Sequence, residues 1–193
     1  MSTGELSNLT LITGGARSGK STYAEALAKS LANRVTYIAT MRLGGADGES
    51  ALRIEKHQAR RPGDWETIEE PLDLAARIRT FSDSDISSVC LIDCLSLWLA
   101  NCLPHLDEAG GDNNFTTVES DIDARCQELL EAIGSKPNIQ FIVVTNEVGS
   151  GIVPHNVVAR FYRDLLGNLN QTFARAASRV WLCCVGLQLS LKA

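Results

Sequence analysis

The chain has 193 residues, 45% of them hydrophobic, and a formal net charge of -5 with a sequence pI near 5.2. That length and apolar content suffice for one domain with its own core. The acidic balance excludes a protein that coats nucleic acid or an anionic membrane, since those tasks need excess Lys and Arg, and no window approaches the roughly 18 apolar residues of a membrane span.

The opening MSTGELSN has neither a basic n-region nor an apolar h-region, so no secretory leader is expected. Residues 1–8 are expected to be a flexible lead-in to a strand at 9–13, LTLIT. Directly after it comes GGARSGKS, in which Gly14, Gly19, Lys20 and Ser21 fit G-x-x-x-x-G-K-[ST] between a predicted strand and a helix predicted over 20–32. In that setting Gly14, Gly15, Ala16, Arg17, Ser18, Gly19, Lys20 and Ser21 read as a phosphate cradle. Backbone N–H groups point inward and the helix N-terminus adds positive potential. Lys20 is placed to bridge the β and γ phosphates of a nucleoside triphosphate and Ser21 to ligate Mg²⁺. A Lys buried at the start of a helix is costly without an anion, which argues against an empty structural turn.

A second strand is predicted at 35–39, VTYIA, and a helix over 48–60 within LRIEKHQARRPGDW. On that helix Arg53, His57 and Arg61 fall at i, i+4 and i+8 with Arg60 adjacent. Spacing alone leaves two readings: a solvated basic face, or a phosphate-binding face where like-charge repulsion keeps a His57 ring nitrogen unprotonated and nucleophilic. Further on, a helix over 72–80 precedes the strand VCLID at 89–93. Its last residue, Asp93, reads either as an acid assisting Mg²⁺ or as the N-cap of a helix starting near Leu95.

The stretch 104–116, PHLDEAGGDNNFT, reads as a mobile loop or an insertion too short to divide domains. A helix over 117–133, a strand at 139–145 (IQFIVVT), a helix over 156–177 and a strand at 180–186 (VWLCCVG) complete the pattern. Asn146 and Glu147 leave the carboxyl end of a strand, where α/β sheets hold ligands, and Gly149 and Gly151 loosen the following turn. Arg160 and Arg163 either reach an acidic ligand or pair with Asp164. His105 and His155 read as loop and surface or capping residues, so three dispersed histidines make a poor metal site. The six cysteines lack paired C-x-x-C spacing and read as reduced residues, mostly in the core of a cytoplasmic protein. Apolar strands alternating with helices predict one α/β domain over 1–193, a doubly wound, mostly parallel sheet with helices on both faces.

In order and spacing, TGGARSGKS, YIAT, RIEKHQARRP, IDCLSLWLAN and TNEVGSGIVPHNVVARFYRDLLGNLNQ resemble the bifunctional adenosylcobinamide kinase and adenosylcobinamide-phosphate guanylyltransferase family of cobalamin biosynthesis, from about residue 9 to 189. The resemblance implies a P-loop NTPase-like, RecA-like fold and two successive activities. A phosphate passes from ATP or GTP to the hydroxyl of adenosylcobinamide, and GMP from GTP is then attached to adenosylcobinamide phosphate through a covalent histidine-GMP intermediate. It assigns the nucleophile to His57, with Arg53, Arg60 and Arg61 as cationic neighbours. It extends the nucleotide contacts from the cradle to Thr40, Met41, Arg42, Gln58, Ala59, Arg60, Arg61, Glu69 and Asp93, places Mg²⁺ near Ser21 and Asp93, and implies a homotrimer. The loop 104–116 and the Gly-rich RLGGADGES before His57 depart from a plain match at the points that bear on the corrinoid. Two other readings stand beside this one: a guanylyltransferase alone, because no motif establishes a kinase base beyond the candidate Glu147, and a nucleotide-gated switch.

Overall fold

The computed structural model describes residues 4–41, 63–82, 88–103, 106 and 114–193. The expected helix 48–60 with Arg53, His57, Gln58, Ala59 and Arg60 lies outside them, as do Arg42, Arg61, His105 and most of the stretch 104–116. Along the chain run β1 (Leu6–Gly14), α1 (Lys20–Leu31), β2 (Val35–Ala39), β3 (Glu66–Glu69), α2 (Leu74–Arg79), β4 (Val89–Asp93), α3 (Leu95–Cys102), α4 (Phe115–Gly134), β5 (Gln140–Val144), α5 (Val157–Ala176), β6 (Ala177–Cys184) and β7 (Leu187–Lys192).

The strands form one sheet in the order β3-β2-β4-β5-β1-β6-β7, parallel throughout except for the antiparallel β6–β7 pair. β1, β4 and β5 lie in its middle, which is why they read as unbroken apolar runs: alternate residues are buried on opposite faces. Leu9, Leu11 and Val143 join Leu129, Ile133 and Phe173 of α4 and α5 on one side. Ile12, Ile142 and Val144 join Ala24 and Ala28 of α1 on the other. Helices therefore cover both faces, as the alternating pattern predicts.

Three boundaries differ from the sequence expectation. Residues 6–8 belong to β1 rather than to a flexible lead-in. Asn8 disguises them: it is buried, and its side-chain amide donates to the carbonyls of Ile133, Lys136 and Ile139 at 3.2, 3.0 and 3.0 Å, tying β1 to the turn between α4 and β5. β3, with the sequence ETIE, is a short and mostly exposed edge strand without an apolar run to betray it. β7, where the sequence analysis assigns no element, is paired along β6 through a tight turn in which Val185 and Gly186 have φ of 48° and 84°. Two consecutive left-handed residues are what a two-residue hairpin turn requires.

Candidate active site

The registers lay out the carboxyl edge of the sheet. Moving outward from β1, Ile12 stands beside Val144, Val144 beside Asp93, Asp93 beside Ala39, and Ala39 beside Glu69. At about 4.8 Å per strand, Asp93 lies about 10 Å laterally from the strand that carries the glycine-rich turn, and Glu69 about 19 Å from it.

That turn begins where β1 ends. A Cβ on Gly14 would run into the Cys183 carbonyl oxygen of β6 and come within 2.6 Å of Ser18 Oγ, so only glycine lets β1 turn here. Gly19, at the N-cap of α1, has φ 94°, a left-handed conformation that favours glycine. The loop is held on both flanks. Glu147 N–H donates to Gly14 O at 3.1 Å from the β5 side, and Gly186 N–H donates to Ser18 O at 3.0 Å from the β6–β7 turn. Within it, Lys20 Nζ reaches back to Gly15 O at 3.1 Å. α1 carries no side-chain cap and no acidic residue in its first turn, leaving its first N–H groups and its dipole directed at the loop. Ser18 is buried, and its hydroxyl has no hydrogen-bond partner among the described residues. A buried hydroxyl without a partner among the described residues, beside the N-terminus of an uncapped helix, suits an anion site.

The Lys20 charge is felt on both sides of the loop. It opposes the upward push that burial gives the thiols of Cys183 on β6 and Cys94 just beyond β4. Cys94 nonetheless ends at about 11, raised by burial and then by the charge of Asp93. The charges of Lys20 and Asp93 thus both act on Cys94.

Asp93 is half-buried, and Tyr37 OH donates to its Oδ2 at 3.0 Å. The N-cap alternative fails: the cap of α3 is Cys94, and no side chain caps that helix. Thr40, expected among the nucleotide contacts, is fully buried and occupied within the protein. Its hydroxyl donates to Cys94 O and accepts from Cys94 N–H, both at 2.8 Å; its N–H donates to Asp93 O at 3.3 Å; its carbonyl accepts from Asn101 at 2.7 Å. It positions the Asp93–Cys94 junction. Met41 follows at the same edge, half-buried, and Glu69 is exposed at the end of β3.

A network that sequence reasoning missed extends from this junction. Ser96 Oγ lies 2.9 Å from Cys94 Sγ and accepts from Asn146 Nδ2 at 2.6 Å. Ser96 O accepts from Tyr162 OH at 2.9 Å, and burial followed by the Cys94 charge pushes that phenol up to about 12. Asn170 Nδ2 donates to Asn146 O at 2.9 Å and its Oδ1 accepts from Thr145 Oγ1 at 2.6 Å. The signal for these residues was present, because polar residues inside apolar segments (Thr40, Ser96, Thr145) must find partners.

Glu147 places Oε1 on the N–H groups of Gly149 and Ser150 at 2.6 and 3.2 Å, so the turn expected to be loose is pinned by its own carboxylate. Arg163 pairs with Asp164 at 3.1 Å, whereas Arg160 donates to the carbonyls of Pro154 and His155 at 2.9 and 2.6 Å. His155 is exposed, and the cap of α5 is Asn156, whose side chain accepts from Ala159 N–H at 2.9 Å. Among the described residues no group of three or more His, Cys, Asp or Glu side chains could hold a metal, and no helix is long and apolar enough to cross a membrane.

Residues 10–191 match the family model described as cobinamide kinase / cobinamide phosphate guanyltransferase. The chain is 43% identical to the bifunctional adenosylcobalamin biosynthesis protein CobP of Pseudomonas aeruginosa, over 94% of this chain and 96% of that one. It is 40% identical to the bifunctional adenosylcobalamin biosynthesis protein CobU of Escherichia coli, over 94% and 98%. Among solved structures, an ATPase from the type III secretion system of pathogenic bacteria superposes with a TM-score of 0.51 at 12% identity, covering 95% of this chain and 56% of that one. This likeness speaks to fold alone: the sheet, the cradle and its helix form a P-loop NTPase-like domain.

Proposed function

The chain belongs to the cobinamide kinase / cobinamide phosphate guanyltransferase family, and on that premise we propose that one phosphate cradle serves two attacks on a bound nucleoside triphosphate. The observation that supports this reading is the loop 14–21, with Lys20 and a Ser18 hydroxyl that has no partner among the described residues, on a strand separated by one other from the strand that ends in Asp93.

In the kinase step the hydroxyl oxygen of adenosylcobinamide attacks the γ-phosphorus of ATP or GTP. The bond to the β-γ bridging oxygen breaks, and the hydroxyl proton passes to a base, for which Glu147 beyond β5 is the candidate: its N–H is bonded to Gly14 O of the cradle, and its Oε1 accepts from Gly149 and Ser150. In the second step a His57 ring nitrogen attacks the α-phosphorus of GTP and pyrophosphate leaves. An oxygen of adenosylcobinamide phosphate then attacks the same phosphorus, the P–N bond breaks, and the histidine is restored with adenosylcobinamide-GDP as product. Arg53, Arg60 and Arg61 stand near His57 in sequence and stabilise charge on the α-phosphate; Arg42, Met41, Gln58, Ala59 and Glu69 complete the nucleotide contacts in this reading.

The residues present fit Mg²⁺. Asp93 and Ser21 offer hard oxygen donors, and the lack of a larger acidic cluster among the described residues suits an ion that takes most of its ligands from phosphate and water. When bound, Mg²⁺ neutralises charge on the phosphate oxygens. Lys20 holds the β and γ phosphates, and Tyr37 and Thr40 keep Asp93 in place. A cytoplasmic location and a homotrimeric assembly belong to the same proposal.

Incubation with GTP and Mg²⁺ alone tests it. One GMP added to the protein, acid-labile and alkali-stable, and absent in His57→Ala, is the expected result. A protein that binds GTP and acquires no GMP would be an ordinary P-loop kinase or a switch.

A further inference from the structure

The acceptor must bring a single hydroxyl to the cradle while a large macrocycle stays outside it, and the loop between β5 and α5 offers a surface at that place. The loop starts at Glu147, whose N–H is bonded to Gly14 O of the cradle at 3.1 Å. Five residues on, Ile152 is 96% exposed, with Val153 at 56% and Val148 at 40%. At no more than about 3.6 Å per residue, Ile152 lies within about 18 Å of the Glu147–Gly14 bond. Leu187 too is exposed beside the cradle, next to Gly186 whose N–H is bonded to Ser18 O, while Leu189 and Leu191 run away from it along the outermost strand.

These side chains sit on a loop that is held at both ends. Glu147 Oε1 accepts from Gly149 and Ser150, Arg160 grips the Pro154 and His155 carbonyls, and Asn156 caps the helix that follows. A branched apolar side chain held almost wholly in water adds nothing to the core, and several together at the rim of a polar site mark a binding surface. These side chains lie a few residues along the chain from the Glu147–Gly14 bond, and the occupant that suits them is the acceptor that meets the phosphate at the cradle.

We propose that Val148, Ile152 and Val153 form the platform on which the corrin ring of adenosylcobinamide docks, its methyl-bearing face against these side chains and its aminopropanol arm directed along Glu147 toward the cradle. The inference rests on the function proposed above and locates the acceptor in that site. It makes the loop specific for the corrinoid and leaves the half-reaction with GTP alone to the cradle and His57.

The test is the double variant Ile152→Ser/Val153→Ser beside Ile152→Leu, with circular dichroism and light scattering on each. Removing two apolar contacts raises KM for adenosylcobinamide in ATP-dependent phosphorylation by about tenfold or more. The KM for ATP, the yield of protein-bound GMP from labelled GTP, and the oligomeric mass stay as in wild type, and Ile152→Leu restores the corrinoid KM. An unchanged corrinoid KM overturns the inference. A rise in nucleotide KM instead, or a change in oligomeric mass, overturns it as well, by assigning the patch to the nucleotide or to a second copy of the chain. Equilibrium dialysis of adenosylcobinamide separates the two proposals: a wild type that binds it but transfers no phosphate, with binding lost in the double variant, sinks the function and keeps the platform. A wild type that does not bind it sinks both.

Discussion

Replacing Thr40 by valine removes one hydroxyl and almost no volume, and its cost can be worked from the hydrogen bonds. The Thr40 hydroxyl accepts from Cys94 N–H and donates to Cys94 O, both at 2.8 Å in a fully buried position. Cys94 O keeps a second donor, Trp98 N–H at 3.1 Å, and stays satisfied after the substitution. Cys94 N–H has no such reserve, so one buried donor is orphaned at about 1–3 kcal/mol. For a chain of this length that is a fall in Tm of roughly 2–12 °C, and a readable shift of the urea midpoint at unchanged m-value. Thr40→Ser, which keeps the oxygen, restores most of the loss. Because the same hydroxyl fixes the residue after Asp93, Thr40→Val also loses phosphoryl transfer beyond what partial unfolding removes, measured well below the melting range. A valine variant within about 0.5 kcal/mol of wild type would refute the clamp, since no buried amide is deprived of its partner at so small a cost.

Gly14→Ala should abolish nucleotide binding, measured by equilibrium dialysis with GTP, and lower Tm, because its Cβ meets the backbone oxygen of Cys183, which has no flexible side chain to yield. Tyr37→Phe frees Asp93 Oδ2; the Mg²⁺ concentration for half-maximal turnover should rise by roughly threefold to tenfold while stability falls by only about 1 kcal/mol. Cys94 carries a signed pH dependence. Its folded value, about 11, is above the ordinary 9.0 because burial disfavours the thiolate, so its contribution is complete below pH 9 and is lost as pH climbs through 11. The loss amounts to about 3 kcal/mol, and urea unfolding at pH 8 and 10.5 should show a smaller decline in Cys94→Ala than in wild type.

The central strands were legible because burial on two faces leaves an unbroken apolar run, as in VCLID and FIVV, and the glycine-rich turn because its chemistry demands particular residue types. What escaped detection failed in the opposite way. β3 is too short and exposed to be patterned, β7 keeps alternating leucines on a surface where a tail would show polar residues, and Asn8 hides the start of β1 behind a side chain that serves three distant carbonyls. At the candidate site, motif reading picked out cradle and acid but gave no sign that the Thr40 hydroxyl is spent on Cys94, because a one-dimensional pattern does not distinguish a hydroxyl facing a ligand from one spent on the neighbouring strand. The Ser96–Asn146–Asn170 network joins residues 24 and 50 positions apart, a separation at which spacing carries no information.

On the proposed reading, the parallel sheet accounts for one cradle being reached by two nucleophiles. In a parallel sheet every strand delivers its following segment to the same edge. The segment after β5 begins at Glu147, hydrogen-bonded to the cradle itself; the segment containing His57 leaves from β2 at Met41, three strands from β1 and next to the strand that ends in Asp93. At about 4.8 Å per strand the two starting points lie about 10 Å apart along the edge, with Asp93 between them. The α and γ phosphorus atoms of one triphosphate are separated by much less, so on the proposed reading a fixed nucleotide presents its γ-phosphorus to an acceptor on the β5 side and its α-phosphorus to His57. On the proposed reading neither reaction requires a second nucleotide site. The order of the two steps is then set by the acceptor, since only a phosphorylated corrinoid carries the oxygen that can discharge the histidine.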